Sequence, residues 1–290
     1  MRNLVVTPIL LLALAGSAMA IDLAPLWDFS KPDVSEQRFR QALQGATGDD
    51  ALILKTQIAR TFGLRGNFDG ARAVLHEVEP AVAAAGPEAR VRYHLEMGRS
   101  YASAAHKPEL LTDEAKTKAR QHYDAALAAA RAARLDGLAV DAVHMFAFLD
   151  TAPADQLKWG EAALDIVLAS SQPAARRWEP SVRNNIGYAL HQLGRYDDAL
   201  AQFRQAVVLR EAGSDAGATR VARWMVAWTL RSLNRGDEAL AIQLRLETEN
   251  ATAGTPDPYV FEELETLYRA KGDVARADHY AKLRAVPEKH

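Results

Sequence analysis

The sequence predicts an all-α fold built from repeated pairs of helices, and three observations support this prediction. Alanine-rich stretches such as residues 123–134 favour helix, because alanine has the highest helix propensity of the amino acids. No run of alternating apolar and polar residues bounded by turn residues indicates a β-strand. A short pattern of glycine, an aromatic or small residue and spaced alanines recurs along the chain, for example from Gly66 and from Gly194.

Composition is that of a soluble globular protein and excludes several kinds of site. Hydrophobic residues make up 49% and charged residues 25% of the 290 residues, which are ordinary proportions for a globular chain. The formal net charge is -2, so the chain lacks the basic domain that nucleic-acid binding requires. Cysteine is absent, which excludes disulfides, thiolate metal ligands and cysteine nucleophiles.

The first twenty residues have the pattern of a signal peptide. Arg2 supplies a positive charge, residues 4–14 are apolar, and residues 18–20 form an A-x-A cleavage site. An uncleaved membrane anchor is the alternative, but the apolar run is shorter than the ~20 residues that span a bilayer. We therefore expect cleavage after Ala20 and an exported, periplasmic protein without an integral membrane segment.

The repeated pattern describes a helix, a tight turn and a second helix. Turn signals at Gly194, Asn234 and Gly272 follow one another at intervals of about 40 residues. An amphipathic stretch precedes each of them, and a segment with spaced alanines follows. The unit is therefore a pair of helices joined by a turn in which glycine permits a left-handed backbone.

This pattern resembles the tetratricopeptide repeat (TPR), in which small and large apolar residues occupy fixed positions of two antiparallel helices. The match is best in one unit, at Ile186, Gly187, Gly194, Tyr196, Ala199, Phe203 and Ala206. The resemblance implies a right-handed superhelical solenoid, and it is to exported TPR proteins of no particular subfamily. The spacing exceeds the usual TPR period of about 34 residues.

About six such units cover residues 51–285, which we expect to form one solenoid. Two middle units are less regular, since one has extra residues between its helices and the other is divided by Pro153. Residues 21–50 are predicted to be a leading segment with a capping helix, after the signal peptide of residues 1–20. Isolated pairs of helices cannot bury their apolar faces, so stacking of the units must supply the core.

Polar and aromatic residues of the first helices are predicted to line a concave groove. Asn184, Tyr188 and His191 share one face of a helix, and it is not the face that packs. By resemblance to TPR proteins, this face lines the groove. The equivalent positions of other units and one histidine on an apolar helix complete the predicted groove: Arg99, His144, Trp224, Trp228, Arg231 and Glu262. Trp224 and Trp228 could instead pack between units.

The predicted function is a non-catalytic scaffold that holds a protein or peptide partner in this groove. Aromatic, amide and arginine side chains are enriched at binding hot spots. The few lysines at the matching positions argue against capture of a C-terminal carboxylate. No cofactor or metal site is expected, because the segment that begins at His76 lacks the second histidine of a zinc motif.

The alternative is an envelope enzyme or enzyme subunit, for example one that cleaves glycans, on a helical solenoid. The residues that motivate it are His144, His191 and Glu262, which belong to the polar groove set. Asp197 and Asp198 are interpreted as charges at the positive end of a helix dipole and not as catalytic acids.

Overall fold

The computed structural model describes residues 21–285, which contain α-helices and two short 3-10 helices but no β-strand. The predicted all-α class is confirmed, whereas the predicted signal peptide lies outside the described residues. The α-helices are α1 (Pro32–Leu43), α2 (Gly48–Leu64), α3 (Phe68–Val82), α4 (Pro87–Tyr101), α5 (Asp113–Ala132), α6 (Asp136–Phe146), α7 (Pro153–Ala169), α8 (Pro173–Arg176), α9 (Glu179–Gln192), α10 (Tyr196–Glu211), α11 (Ala216–Ser232), α12 (Gly236–Thr252), α13 (Pro258–Ala270) and α14 (Val274–Arg284). None of these helices is both long and apolar enough to cross a bilayer.

Six pairs of helices repeat along the described chain, as the sequence predicts. The pairs are α2 with α3, α4 with α5, α6 with α7, α9 with α10, α11 with α12, and α13 with α14. The N-terminal helix of each pair is its first helix, and the other is its second helix. From the second pair onward, each first helix also packs against a helix of the preceding pair, which makes the arrangement a solenoid. The helix α1 packs on α2, and the short α8 lies against α6.

The turns inside four of the six pairs share one backbone geometry. Gly66, Gly194 and Gly272 have φ angles of 74°, 74° and 75°, and Asn234 has a φ of 59°. The backbone N–H of Arg195 donates to the carbonyl of Leu190 at 2.9 Å, and the other three turns repeat this bond. Such a bond closes a helix over a left-handed residue, for which glycine and asparagine have the lowest steric cost. The predicted role of the turn glycines is confirmed.

Several helices begin with a side-chain cap. Asn67, Asp215 and Asp273 each accept a hydrogen bond from a backbone N–H three residues later, which satisfies one of the free donors at a helix start. Asp197 and Asp198 lie exposed in the first turn of α10. This is the position expected for charges that stabilise the helix dipole.

Small residues allow the two helices of a pair to approach closely. A Cβ atom on Gly187 would lie 2.7 Å from the ring of Phe203, which is fully buried in α10. A Cβ on Gly98 would meet the ring of Tyr123 in the same way, at 2.4 Å. The Tyr123 hydroxyl donates to the carbonyl of Ala102 at 2.5 Å, so the large residue of this pair is anchored as well as packed.

One continuous core runs through the described residues. Its five clusters of buried side chains are bridged by shared, partly buried residues, such as Trp159 between the two central clusters and Trp224 near the C-terminal end. The units therefore stabilise one another, as expected for stacked helical repeats.

The segment before α1 lies against α2 and is here called the strap (residues 21–30). Leu23 is buried in the same cluster as Phe39. The indole N–H of Trp27 donates to the side-chain oxygen of Gln57 at 3.2 Å, and its ring stacks on Phe29 with centroids 4.5 Å apart. These contacts hold the strap beside the first helix of the first pair.

Candidate binding groove

Four charged side chains connect the first helices of the first three pairs, and we call them the four-charge cluster. Glu96 of α4 accepts hydrogen bonds from Arg60 of α2 at 3.3 Å and from Arg99 at 2.5 Å. Arg99 also donates to Asp141 of α6. Glu96, Arg99 and Asp141 retain only 4%, 12% and 11% side-chain exposure. The Arg60 side chain is only partly buried, at 27% exposure, and completes a group of two positive and two negative charges without net charge.

Electrostatics keeps Asp141 ionised. Burial alone would raise the pKa of the Asp141 carboxyl, but Arg99 and Arg60 outweigh burial and hold this pKa below its ordinary value. Burial and the nearby charge of Arg99 lower the pKa of Arg60, against the opposing effect of Glu96 and Asp141. The Nε atom of Arg60 is buried without a hydrogen-bond partner, so Arg60 is the least well satisfied of the four.

His144 continues the row of contacts between first helices. Its Nδ1 atom lies 3.4 Å from the side-chain nitrogen of Asn185 in α9, and its ring packs against Phe148 and Trp178. Burial lowers the pKa of His144, and Arg99 adds to this effect while Asp141 opposes it. His144 is therefore neutral at pH 7.

Beyond His144, the exposed contacts become aromatic, and four residues form what we call the aromatic row: Tyr188, Trp228, Trp224 and Tyr259. Neighbouring ring centroids are 6.1, 5.8 and 6.3 Å apart in that order. Tyr188 and Tyr259 are exposed, whereas both tryptophans are half-buried against the core. The tryptophans thus pack between units and belong to the surface row at the same time.

Two polar residues beside the aromatic row are engaged within the protein. His191 stacks on Trp228 with centroids 3.4 Å apart, and its Nε2 atom lies 3.0 Å from the Ser232 hydroxyl. Burial, with the charge of Arg231, lowers the pKa of His191 to about 4. Arg231 donates two hydrogen bonds of 2.7 Å to Glu263 of α13. These contacts connect α9 with α11 and α11 with α13.

Three adjoining cavities lie along the face of the first helices that carries these residues, which we call the groove face. The strap cavity, of about 650 Å³, has Trp27 and Phe29 of the strap on one side and Leu138 and Trp178 on the other. Arg60 lines it between these walls and also lines the next cavity.

The middle and aromatic cavities extend the groove toward the aromatic row. The middle cavity has a volume of about 200 Å³ and shares His144 and Phe148 with the aromatic cavity of about 370 Å³. The aromatic cavity reaches Asn184 and Tyr188. Because neighbouring cavities share lining residues, the three adjoin one another in a row from the strap to the aromatic row.

The structure separates the sequence-predicted groove residues into three groups. The first group lines a cavity and consists of Arg99, His144, Asn184 and Tyr188. The second group makes mainly contacts between helices and consists of His191, Trp224, Trp228 and Arg231. Glu262 lies apart from both groups, exposed and 3.9 Å from Arg284 of α14.

Sequence reasoning missed part of the four-charge cluster. Arg60 stands one residue after Ile58 and Ala59, just as Tyr188 stands one residue after Ile186–Gly187. Extending the register to the first unit would therefore have placed Arg60 on the groove face. Asp141 stands three residues before His144 in the sequence, but it forms its ion pair with Arg99.

Metal-binding geometry is not found in residues 21–285, where no three histidine or carboxylate side chains converge on one point. His76 instead contacts Glu79 at 2.9 Å on the exposed face of α3, and both side chains are more than half exposed.

Substitution of Asp141 tests the four-charge cluster. We expect Asp141→Ala to lower the free energy of unfolding by about 3–5 kcal/mol, because it leaves two buried guanidiniums with one carboxylate. The matched control is Glu114→Ala, which breaks the exposed pair with Lys118 and should lower the stability far less, because water screens an exposed pair. Urea unfolding measures both, and equal losses would mean that the cluster contributes no more than a surface pair.

The stacking of His191 predicts a pH dependence. In the folded protein its pKa is about 4, below the ordinary value of 6.5, so unfolded chains take up this proton first as the pH falls. Stability should therefore decline between about pH 6.5 and pH 4. The variant His191→Gln should show a shallower decline in urea unfolding over this range. Parallel curves for the two proteins would contradict the shifted pKa.

Comparison with known proteins identifies the repeat. The family model of the tetratricopeptide repeat matches residues 178–246, from the start of α9 into α12. A search of curated proteins finds no match. Among solved structures, the chain is similar to a kinesin-light-chain-type protein of Podosopora anserina with nearly identical TPR-like repeats. Their identity is 14% and the TM-score 0.52, over 72% of this chain and 99% of the other.

A second solved structure has the same type of fold. The apo form of the quorum sensor NprR from B. thuringiensis matches with 11% identity and a TM-score of 0.50, over 89% of this chain and 82% of its own. Both likenesses extend well beyond the part matched by the family model. The family model thus identifies a tetratricopeptide repeat in residues 178–246, and the two likenesses show that the chain as a whole has the fold of a TPR-like helical solenoid.

Proposed function

We propose that this protein is a non-catalytic scaffold that binds an extended segment of a partner protein, or a peptide, along the groove face. The observation that carries this proposal is the row of three adjoining cavities, with shared lining residues, from the strap to the aromatic row. Repeat solenoids of this type generally serve protein–protein interaction through such extended surfaces.

The composition of the groove supports a protein ligand. Exposed aromatic rings supply contact area with little loss of side-chain entropy, and arginine and tyrosine are enriched at binding hot spots. Tyr188 keeps 45% of its surface exposed although its ring centroid lies 6.1 Å from that of Trp228. A side chain held by its neighbours and still open to solvent is preorganised for binding.

The proposed place of action is the bacterial periplasm. The support for this part of the proposal is the sequence of residues 1–20, with its single arginine, apolar run and A-x-A site. Detection of a mature chain that begins at Ile21 in the periplasmic fraction would agree with export.

The enzyme alternative lacks a geometric basis among the described residues. His144 lines the aromatic cavity, His191 is stacked on Trp228, and Glu262 is next to Arg284. General acid–base catalysis needs such groups within hydrogen-bond reach of one substrate, and these three lie on different helices with no contact between them.

The scaffold proposal predicts which variants lose the partner. We expect Tyr188→Ala combined with Asn184→Ala to weaken capture of partners from envelope extract at least about tenfold, because truncated hot spots cost 2 kcal/mol or more. Both side chains project from α9 without a hydrogen bond or ion pair within residues 21–285, so the melting temperature should fall only by the small loss of the ring contact between Tyr188 and Trp228.

The matched control is Gln205→Ala combined with Val208→Ala, two exposed positions on the second helix α10. This variant should retain every partner of the wild-type protein in quantitative mass spectrometry. If the α10 variant loses partners and the α9 variant keeps them, the binding surface lies on the outer face and the proposal is wrong.

A further inference from the structure

The aromatic cavity differs from the rest of the groove in its lack of charge. It lies between α6, α7, α9 and α11, and none of its lining residues is aspartate, glutamate, lysine or arginine. The chain as a whole is 25% charged. Charges lie on both sides of it: the four-charge cluster toward the strap, and the pair of Arg231 and Glu263 toward the C-terminal end.

Aromatic rings dominate the walls of this cavity. Phe148, Trp159, Tyr188 and His144 all line it, and burial keeps His144 neutral by lowering its pKa. Rings prefer to pack against other rings in stacked or edge-to-face geometry, with an additional gain of about 0.5–1.5 kcal/mol beyond the buried area. The walls therefore favour an aromatic group over an aliphatic group of similar size.

The size and the polar edge of the cavity suit one large side chain. Its volume of about 370 Å³ lies at the lower end of the ~300–1,000 Å³ of ligand pockets. The side-chain amide of Asn184 lines it and makes no hydrogen bond within the described part of the chain. This amide can pair with a hydroxyl or an indole N–H at the edge of an aromatic ligand.

We propose that the aromatic cavity binds one uncharged aromatic side chain, that of tryptophan or tyrosine, of the segment held in the groove. This inference rests on the proposed function and names the residue type that the partner must supply. A charged side chain would lose its hydration in the cavity without gaining a counter-ion, so the site selects against it.

The test uses amino-acid amides as probes for the cavity alone. Binding of N-acetyl-tryptophanamide, N-acetyl-tyrosinamide, N-acetyl-leucinamide and N-acetyl-glutamic acid amide is measured by ligand-observed NMR. We expect the two aromatic probes to bind at least threefold more tightly than the leucine probe, and the glutamate probe not to bind.

A variant that fills the cavity links this binding to the site. Ala147 lines the aromatic cavity, so Ala147→Leu should weaken the aromatic probes at least fivefold. Ala128→Leu, at an exposed position of α5, is the matched control and should bind like the wild type. If Ala147→Leu lowers the melting temperature, the smaller Ala147→Val replaces it. Equal binding by the cavity variant and the control overturns the proposal, as does tight binding of the glutamate probe.

Partner capture separates failure of this inference from failure of the proposed function. If the α9 double variant loses partners while Ala147→Leu binds them unchanged, the groove binds a segment that leaves the aromatic cavity empty, and only the present inference fails. If neither variant affects capture, the scaffold proposal and the present inference both fail.

Discussion

Ion pairing between successive first helices is the interaction on which the groove depends. Arg60, Glu96, Arg99 and Asp141 come from three helix pairs and are buried with balanced charge. A buried charge without its partner is costly, so each unit has one favourable position relative to the next. The cavities between these units keep their shape because separating the paired charged side chains would cost free energy. Farther along, stacking of His191 on Trp228 and the bond from Arg231 to Glu263 have the same role.

The chemistry of the groove changes along its length. Near the strap the walls combine guanidinium and carboxylate groups with the rings of Trp27 and Phe29. The aromatic cavity, which begins at His144, has no charged lining residue, and the aromatic row starts at its far end with Tyr188. A ligand that lies along the whole groove must therefore carry polar or charged groups at one end and apolar groups at the other. For the partner segment proposed above, such a gradient would favour one direction of binding, because the reversed ligand would bury charges in the uncharged cavity.

The sequence predicts the local packing of this fold well and the groove less completely. Residues equivalent to Gly187, Gly194 and Phe203 recur at similar spacings in other units, because the two helices of a pair are close in sequence. The helix pairs could therefore be predicted. Pairing across units depends on the superhelix, which no spacing reveals: Arg99 and Asp141 lie 42 residues apart. The sequence could not decide whether Trp228 lies in the groove or in the core. In the structure its ring does both, since it stacks on His191 and also belongs to the aromatic row. The inserted α8 and the strap carry no repeat pattern, so the strap cavity that they border could not be foreseen.

Photo-crosslinking from the groove face tests the central claim most directly. Benzoylphenylalanine placed at Tyr188 projects from the exposed end of the aromatic row, whereas the same residue at Gln205 projects from the outer face of α10. In envelope extract, irradiation should join a partner to the protein from position 188 and not from position 205. Crosslinks from position 205 alone would show that partners bind the second helices, and the groove would then have no part in binding.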